Sequence, residues 1–228
     1  MNWKAVLVLI LIPSLAFAMS NGAPALECSQ CHMDAKPLSS NNIVVEGLIE
    51  KDGKYYYEPG KFYKLKIKIV NVPNCTEAMV HCGGFAFSAS AGKVKVVDHE
   101  HTFLTSVFDL GLGGMVEYVT HTEKGSLVRS RAWEVSWKAP EKPVVVGFRV
   151  ASIVANGDAS PNGDMYGVKI FSALPYGVPP EKIINQNTFT SNGSNTILLY
   201  MVLASLMTSL ISLFVSIFAL ISSGKRSS

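Results

Sequence analysis

In the stretch "ALECSQCHMDAKP" (residues 25–37), Cys28, Cys31 and His32 form a CxxCH pattern. Two thiols two residues apart, followed at once by an imidazole, can serve three kinds of chemistry. They can be joined by thioether bonds to the vinyl groups of a haem, with the histidine beneath the iron as proximal ligand. They can contribute to another metal site, or close a small disulfide loop. A zinc site needs four closed ligands, and no second paired-cysteine motif completes one. A thioredoxin-type redox pair belongs at the start of a helix beside a βαβ unit, and the chain has no such pattern. Haem c is therefore the expected cofactor, attached through Cys28 and Cys31 with His32 on the iron; a Cys28–Cys31 disulfide is the alternative.

An iron held by His32 alone would be five-coordinate, whereas electron-transfer haems close the sixth position with His or Met. The available side chains are His81, His99, His101, His121, Met33, Met79, Met115 and Met165. Met33 adjoins the proximal histidine and cannot cross to the opposite face. His81 lies between Cys75 and Cys82, which are expected to form a local disulfide that constrains it. His121 ends the strand-like "MVEYVT" at a turn, where a side chain can lean over a cofactor held on a rigid sheet. It is the expected distal ligand. His99 and His101 are the alternatives, since they share one face of "VVDHEHTF" if that run is extended.

The elements that position these groups lie between two apolar ends. The chain opens with Lys4, an apolar run and Ala16-Phe17-Ala18, the marks of a secretory signal over residues 1–18. An uncharged run at 196–223 is long enough to cross ~30 Å of hydrocarbon, and Lys225 and Arg226 follow it on the expected cytoplasmic side. The expected topology is single-pass in the cell membrane, with an extracytoplasmic domain and a tail at 224–228. Setting aside Lys4, Lys225 and Arg226 leaves 17 basic and 17 acidic side chains outside, so net charge vanishes there. With no basic tract or basic-aromatic alternation, nucleic acid is not an expected partner.

Between the ends the period is two. "FYKLKIKIV" puts Tyr63, Leu65, Ile67 and Ile69 on one face and Lys64, Lys66 and Lys68 on the other. "IVVEGLIE", "GGFAFSAS", "VKVV", "MVEYVT", "AWEVSWKAP", "VVVGFRVASIVA" and "MYGVKIFSAL" read likewise as strands, punctuated by Gly, Pro, Asn and Asp. The expected fold is all-β, an immunoglobulin-like antiparallel sandwich over residues 43–178. A haem-attachment segment (19–42) precedes it, and a polar stalk (179–195) leads to the membrane helix.

"YEPGKFYKL", "GGFAFSASAG", "THTEKG…RAWEVSWKAP" and "VANGDASPNGD", in that order, resemble the Reeler-like β-sandwich of secreted prokaryotic proteins. The resemblance covers about residues 20–175 and rests on Tyr57, Pro59, Gly60, Tyr63, Gly84, Phe85, His121, Trp133, Trp137, Pro140, Asn156, Gly157, Gly163 and Asp164. It implies an immunoglobulin-like sandwich and, where a CxxCH stands ahead of the first strand, a monohaem cytochrome. The loop "NVPNCTEAMVHC" departs from the family's pattern.

Other features have milder readings. Asp158 and Asp164 of "NGDASPNGD" could bind Ca²⁺, but turn chemistry explains the same residues and is favoured. Asn74 and Asn192 head glycosylation sequons. Ser205, Ser209, Ser212 and Ser216 form a small-residue seam in the membrane segment, suited to self-association. No acid–base pair or nucleophile triad is visible, so the expectation is electron transfer with an extracytoplasmic or membrane redox partner, not catalysis. A haem-free surface binding or adhesion module is the alternative.

Overall fold

The computed structural model describes residues 22–189, with residues 30, 76–79, 110, 159, 161 and 187 excepted. The predicted signal, the membrane helix with its serine seam, the tail and Asn192 lie outside the described residues. Among the described residues no helix is long and apolar enough to cross a membrane.

The strands are β1 (Lys36–Pro37), β2 (Ile43–Glu46), β3 (Ile49–Lys51), β4 (Lys54–Tyr57), β5 (Phe62–Ile69) and β6 (Gly83–Ala89). They continue with β7 (Lys93–Val96), β8 (Thr102–Asp109), β9 (Gly114–His121), β10 (Ala132–Lys138), β11 (Val146–Val154) and β12 (Met165–Pro175). A single helical turn, α1 (Glu123–Ser126), links β9 to β10, with the Thr122 side chain accepting from Gly125 N–H at its start.

Two sheets face each other, as the alternation predicts. One has the order β3-β4-β12-β11-β6-β9-β8, and the other β2-β5-β10-β7. Pairing is mostly antiparallel, but β12 takes β1 and β4 alongside it in parallel. Along β5 burial alternates as read, with Tyr63, Leu65, Ile67 and Ile69 inward. Strands β4 and β8 were not among the expected runs. "KYYY" and "TFLTSVFD" do not alternate apolar with polar; β8 is an edge of the larger sheet and leaves Leu104 and Phe108 exposed, whereas β4 lies between β3 and β12.

The space between the sheets is filled by aromatic rings. Trp137 meets Tyr57 at 5.4 Å, Tyr63 at 5.7 Å and Phe148 at 4.9 Å between centroids, and Phe148 continues to Phe87 and Phe171. Such edge and offset contacts contribute beyond the buried area itself. Residues 179–189, the described part of the predicted stalk, are docked on the sandwich: Ile184 bridges Val144 and Phe189 is buried. The apolar ring of Phe189 finds a place on the larger sheet, which holds that end of the segment down.

Tyr57 clasps the loop before β11. Its hydroxyl donates to Val144 O at 2.7 Å and accepts from Val144 N–H at 3.1 Å, with the ring fully buried. Tyr57→Phe would leave both backbone groups of Val144 unpaired, at an expected cost of about 1–3 kcal/mol. Urea unfolding should show a lower midpoint at unchanged slope; an unmoved midpoint would contradict the clasp.

Candidate functional site

Strand alternation gives the larger sheet a second, outward face. It carries Gly84, Ala86 and Ser88 of β6, Arg149, Ala151 and Ile153 of β11, Val116, Tyr118 and Thr120 of β9, and Tyr166 and Val168 of β12. Ala86 lies opposite Ala151 on one side and Thr120 on the other, and Ala151 opposite Val168. The middle of this face is a shallow floor of small side chains with larger walls. Residues 22–38 lie on it. Ala23, Leu26 and Cys28 pack with Ala86, Ala151, Ile153, Val116, Tyr118 and Phe189 in an apolar cluster separate from the main core.

Polar groups fix that covering segment. Ala23 N–H donates to Thr120 Oγ1 at 3.0 Å, and the Tyr118 hydroxyl donates to Ala23 O at 2.9 Å. Glu27 accepts from both Arg149 and the Tyr166 hydroxyl. Burial, chiefly, pushes the Tyr166 phenol up to about 12, so it stays a donor. Farther on, Lys36 N–H and Leu38 N–H each donate at 2.7 Å, to Asp164 O and Tyr166 O, which makes the β1–β12 pairing. Leu26 holds a left-handed backbone (φ 59°) while 1% exposed, a strain of ~1–2 kcal/mol offset by its burial.

The CxxCH sits in a turn, with Cys31 N–H and His32 N–H both directed at Cys28 O, at 3.3 and 3.2 Å. Cys28 is buried, Cys31 is exposed, and the two are not bridged. Burial first, and Cys31 second, push the Cys28 thiol up to about 12, so it stays protonated. His32 is half-buried, and its Nδ1 lies 2.6 Å from Oδ2 of Asp164, whose side chain is 2% exposed. The other carboxylate oxygen of Asp164 accepts from Asn156 N–H at 3.0 Å. The imidazole therefore keeps Nε2 as its unengaged nitrogen.

His121 closes β9, buried, with its ring over Gly84, where any Cβ would overlap the imidazole. Its Nδ1 is 3.2 Å from both the amide and the carbonyl of Phe85. When Nδ1–H donates to that carbonyl, Nε2 carries a free lone pair. Desolvation pushes His121 down to about 4, and the neighbouring His32 and His81 oppose its protonation further. His121 thus has two other histidines near enough at this end of the sheet to oppose its charging.

The remaining candidates are placed elsewhere. His99 is exposed and His101 half-buried, and they do not share a strand face. Residues 98–101 form a turn in which Asp98 Oδ1 accepts from Glu100 N–H and His101 N–H, and Asp98 Oδ2 holds the His101 ring at 2.6 Å. The aspartate's capping capacity overrides the extended reading. His81 is exposed, with Nδ1 2.5 Å from Ser126 Oγ. Met33 and Met115 point to solvent, Met165 is partly buried against the main core, and Met79 lies outside the described residues.

Cys75 and Cys82 are disulfide-bonded, as expected. The loop is further held by Arg131, which no sequence pattern singled out: its guanidinium donates to Cys82 O at 2.6 Å, Pro73 O at 2.7 Å and Ala155 O at 3.4 Å. Asn74 is exposed. Asp158 is occupied by Asn156 Nδ2 and Ser160 N–H, which is turn chemistry. Among the described residues no three or more His, Cys, Asp or Glu side chains gather to hold a metal ion alone. Two residues central to the site were not assigned to it from sequence. Asp164 was read as a turn residue, and Gly84 only as part of a family pattern, although a doubled glycine opening a strand signals a close approach.

Gly84→Ala should displace the His121 ring and destabilise the domain by about 1–3 kcal/mol, measured by urea unfolding; an unchanged midpoint would refute the close approach. His121 gives a second prediction for the polypeptide without a bound group. Its folded value is below the ordinary one near 6.5, so between pH 6.5 and about 4 the unfolded chain binds more protons. Stability is complete above that window and falls as pH drops through it, by roughly 2 kcal/mol between pH 7 and pH 5. His121→Asn should lack that share of the decline.

No protein-family model matches the chain, and no curated protein matches it. Among solved structures, it is similar to the Reelin-N domain of F-spondin, with 15% identity and a TM-score of 0.37 over 64% of this chain and 97% of that one. It is also similar to the human F-spondin reeler domain, at 14% identity and TM-score 0.32 over 62% and 97% of the two chains. A cohesin module from a Clostridium perfringens family 33 glycoside hydrolase follows, at 12% identity and TM-score 0.36 over 59% and 96%.

Proposed function

We propose that this chain is a membrane-anchored, extracytoplasmic monohaem c-type cytochrome that transfers single electrons. The observation that carries the reading is the state of His32. The last residue of the CxxCH has its Nδ1 held by a buried carboxylate 132 positions away, which leaves Nε2 as the donor. Metal-ligating imidazoles are oriented in this way.

The rest of the face supports the same reading. Cys28 and Cys31 are unbridged thiols, as thioether attachment requires. Each S–H would add across one vinyl C=C, sulfur to one carbon and hydrogen to the other, so attachment would consume no oxidant. His121 stays neutral at ordinary pH because burial opposes its charge, and a neutral imidazole is the form that ligates.

In this reading Cys28 and Cys31 would hold the haem covalently, and His32 and His121 would be the residues that ligate its iron. The haem, when bound, supplies one-electron exchange between ferric and ferrous iron. The chain supplies two imidazole donors and a wall that keeps water from the covered face. Bis-histidine ligation sets a lower potential than His/Met would. The predicted span at 196–223 confines the domain to a layer above the bilayer, raising its effective concentration near membrane redox partners.

Expression in a host that matures c-type cytochromes should give a haem-staining band on a denaturing gel. Cys28→Ala with Cys31→Ala should abolish it, and Cys75→Ala should not. His121→Ala should change the ferric and ferrous spectra. Matured protein with the mass of the bare polypeptide and no Soret band would reject the proposal in favour of a haem-free binding module.

A further inference from the structure

We propose that Asp164 is a positioning residue that acts through His32 to hold the iron of this cytochrome in the ferric state, giving it a low reduction potential; this rests on the haem reading above. The geometry is a short contact between a nearly inaccessible carboxylate and the ring nitrogen opposite the iron-binding one. Asp164 Oδ2 is 2.6 Å from His32 Nδ1, and the carboxylate is only 2% exposed. The carboxylate end of the contact is shielded from water while the His32 side chain is 30% exposed, and the low polarisability around Asp164 strengthens it.

The aspartate is itself immobilised. Asn156 N–H occupies Oδ1 at 3.0 Å, and Asp164 O takes Lys36 N–H at 2.7 Å, so side chain and backbone both bind the His32 region to the start of β12. A carboxylate so placed draws the Nδ1 proton toward itself and leaves Nε2 a stronger electron donor. A fixed negative charge near the metal also favours the oxidation state with the higher positive charge. Both effects act in one direction, toward ferric iron. No atoms are gained or lost; one electron leaves or enters the iron, and Asp164 changes only the balance between the two states. The partner class that follows is a low-potential electron donor.

The contact could instead be a staple that merely fastens the covering segment, and the potential separates the two roles. The full chain and its Asp164→Asn variant, both matured with haem, are titrated spectroelectrochemically. The variant is expected to keep covalent haem and His32 ligation. At a fixed ambient potential near the midpoint, its ferric-to-ferrous ratio is expected to fall about tenfold, equivalent to roughly 59 mV for one electron. Equal potentials with haem retained in both proteins would overturn the inference and leave the cytochrome reading intact. Absence of covalent haem from the unaltered protein would overturn both.

If the variant does not accumulate, nitrogen-15 NMR of the unaltered ferrous protein reads the same contact. A His32 Nδ1–H signal far downfield of a solvated imidazole is expected. A signal at the solvated position would overturn the inference.

Discussion

Strands β6 and β11 are buried on both faces, and this constraint governs the rest of the molecule. From Gly83 to Ser88 every residue of β6 is buried, and in β11 only Arg149 is partly open. One face is covered by the smaller sheet in the usual way for a sandwich. The other would be an apolar surface in water, since a two-layer sandwich has no third layer to offer it. The chain covers it with its own residues 22–38 on one flank and Phe189 on the other. The CxxCH is thereby held against the sheet instead of trailing from it.

Packing alone would let such a cover slide, because small floor residues offer few knobs for register. Charged and polar contacts set the register. Glu27 engages Arg149 and Tyr166 near one end of the segment, and His32 engages Asp164 near the other. Buried ion pairs such as Glu27–Arg149 contribute little net stability after desolvation, and their better-attested use is to specify one arrangement. Among the described residues Arg149 Nε and Ser88 Oγ are buried on this face without a hydrogen-bond partner.

Much of the sandwich was legible because period-two alternation survives wherever one strand face meets water. β5 and β10 have that pattern and were read directly. β8 was missed because it edges the larger sheet and exposes Leu104 and Phe108, so its apolar residues follow no burial rule. Cys28, Cys31 and His32 were singled out by local spacing alone, and the Cys75–Cys82 bridge, read from economy of pairing, is present. The His32–Asp164 contact was not legible, since nothing local relates two residues 132 positions apart. The His99/His101 reading failed for a local reason: Asp98 folds the run into a turn, and a single capping carboxylate outweighed apparent strand alternation.

The origin of the covering segment's seat has a temporal consequence. Residues 22–38 precede in the chain every strand that receives them, and the last of those strands, β12, begins at Met165. The seat cannot exist until most of the domain has been synthesised and paired, so the cysteine pair spends that interval without its resting place. Any enzyme that must reach both thiols has its opening then, before closure places Cys28 out of reach.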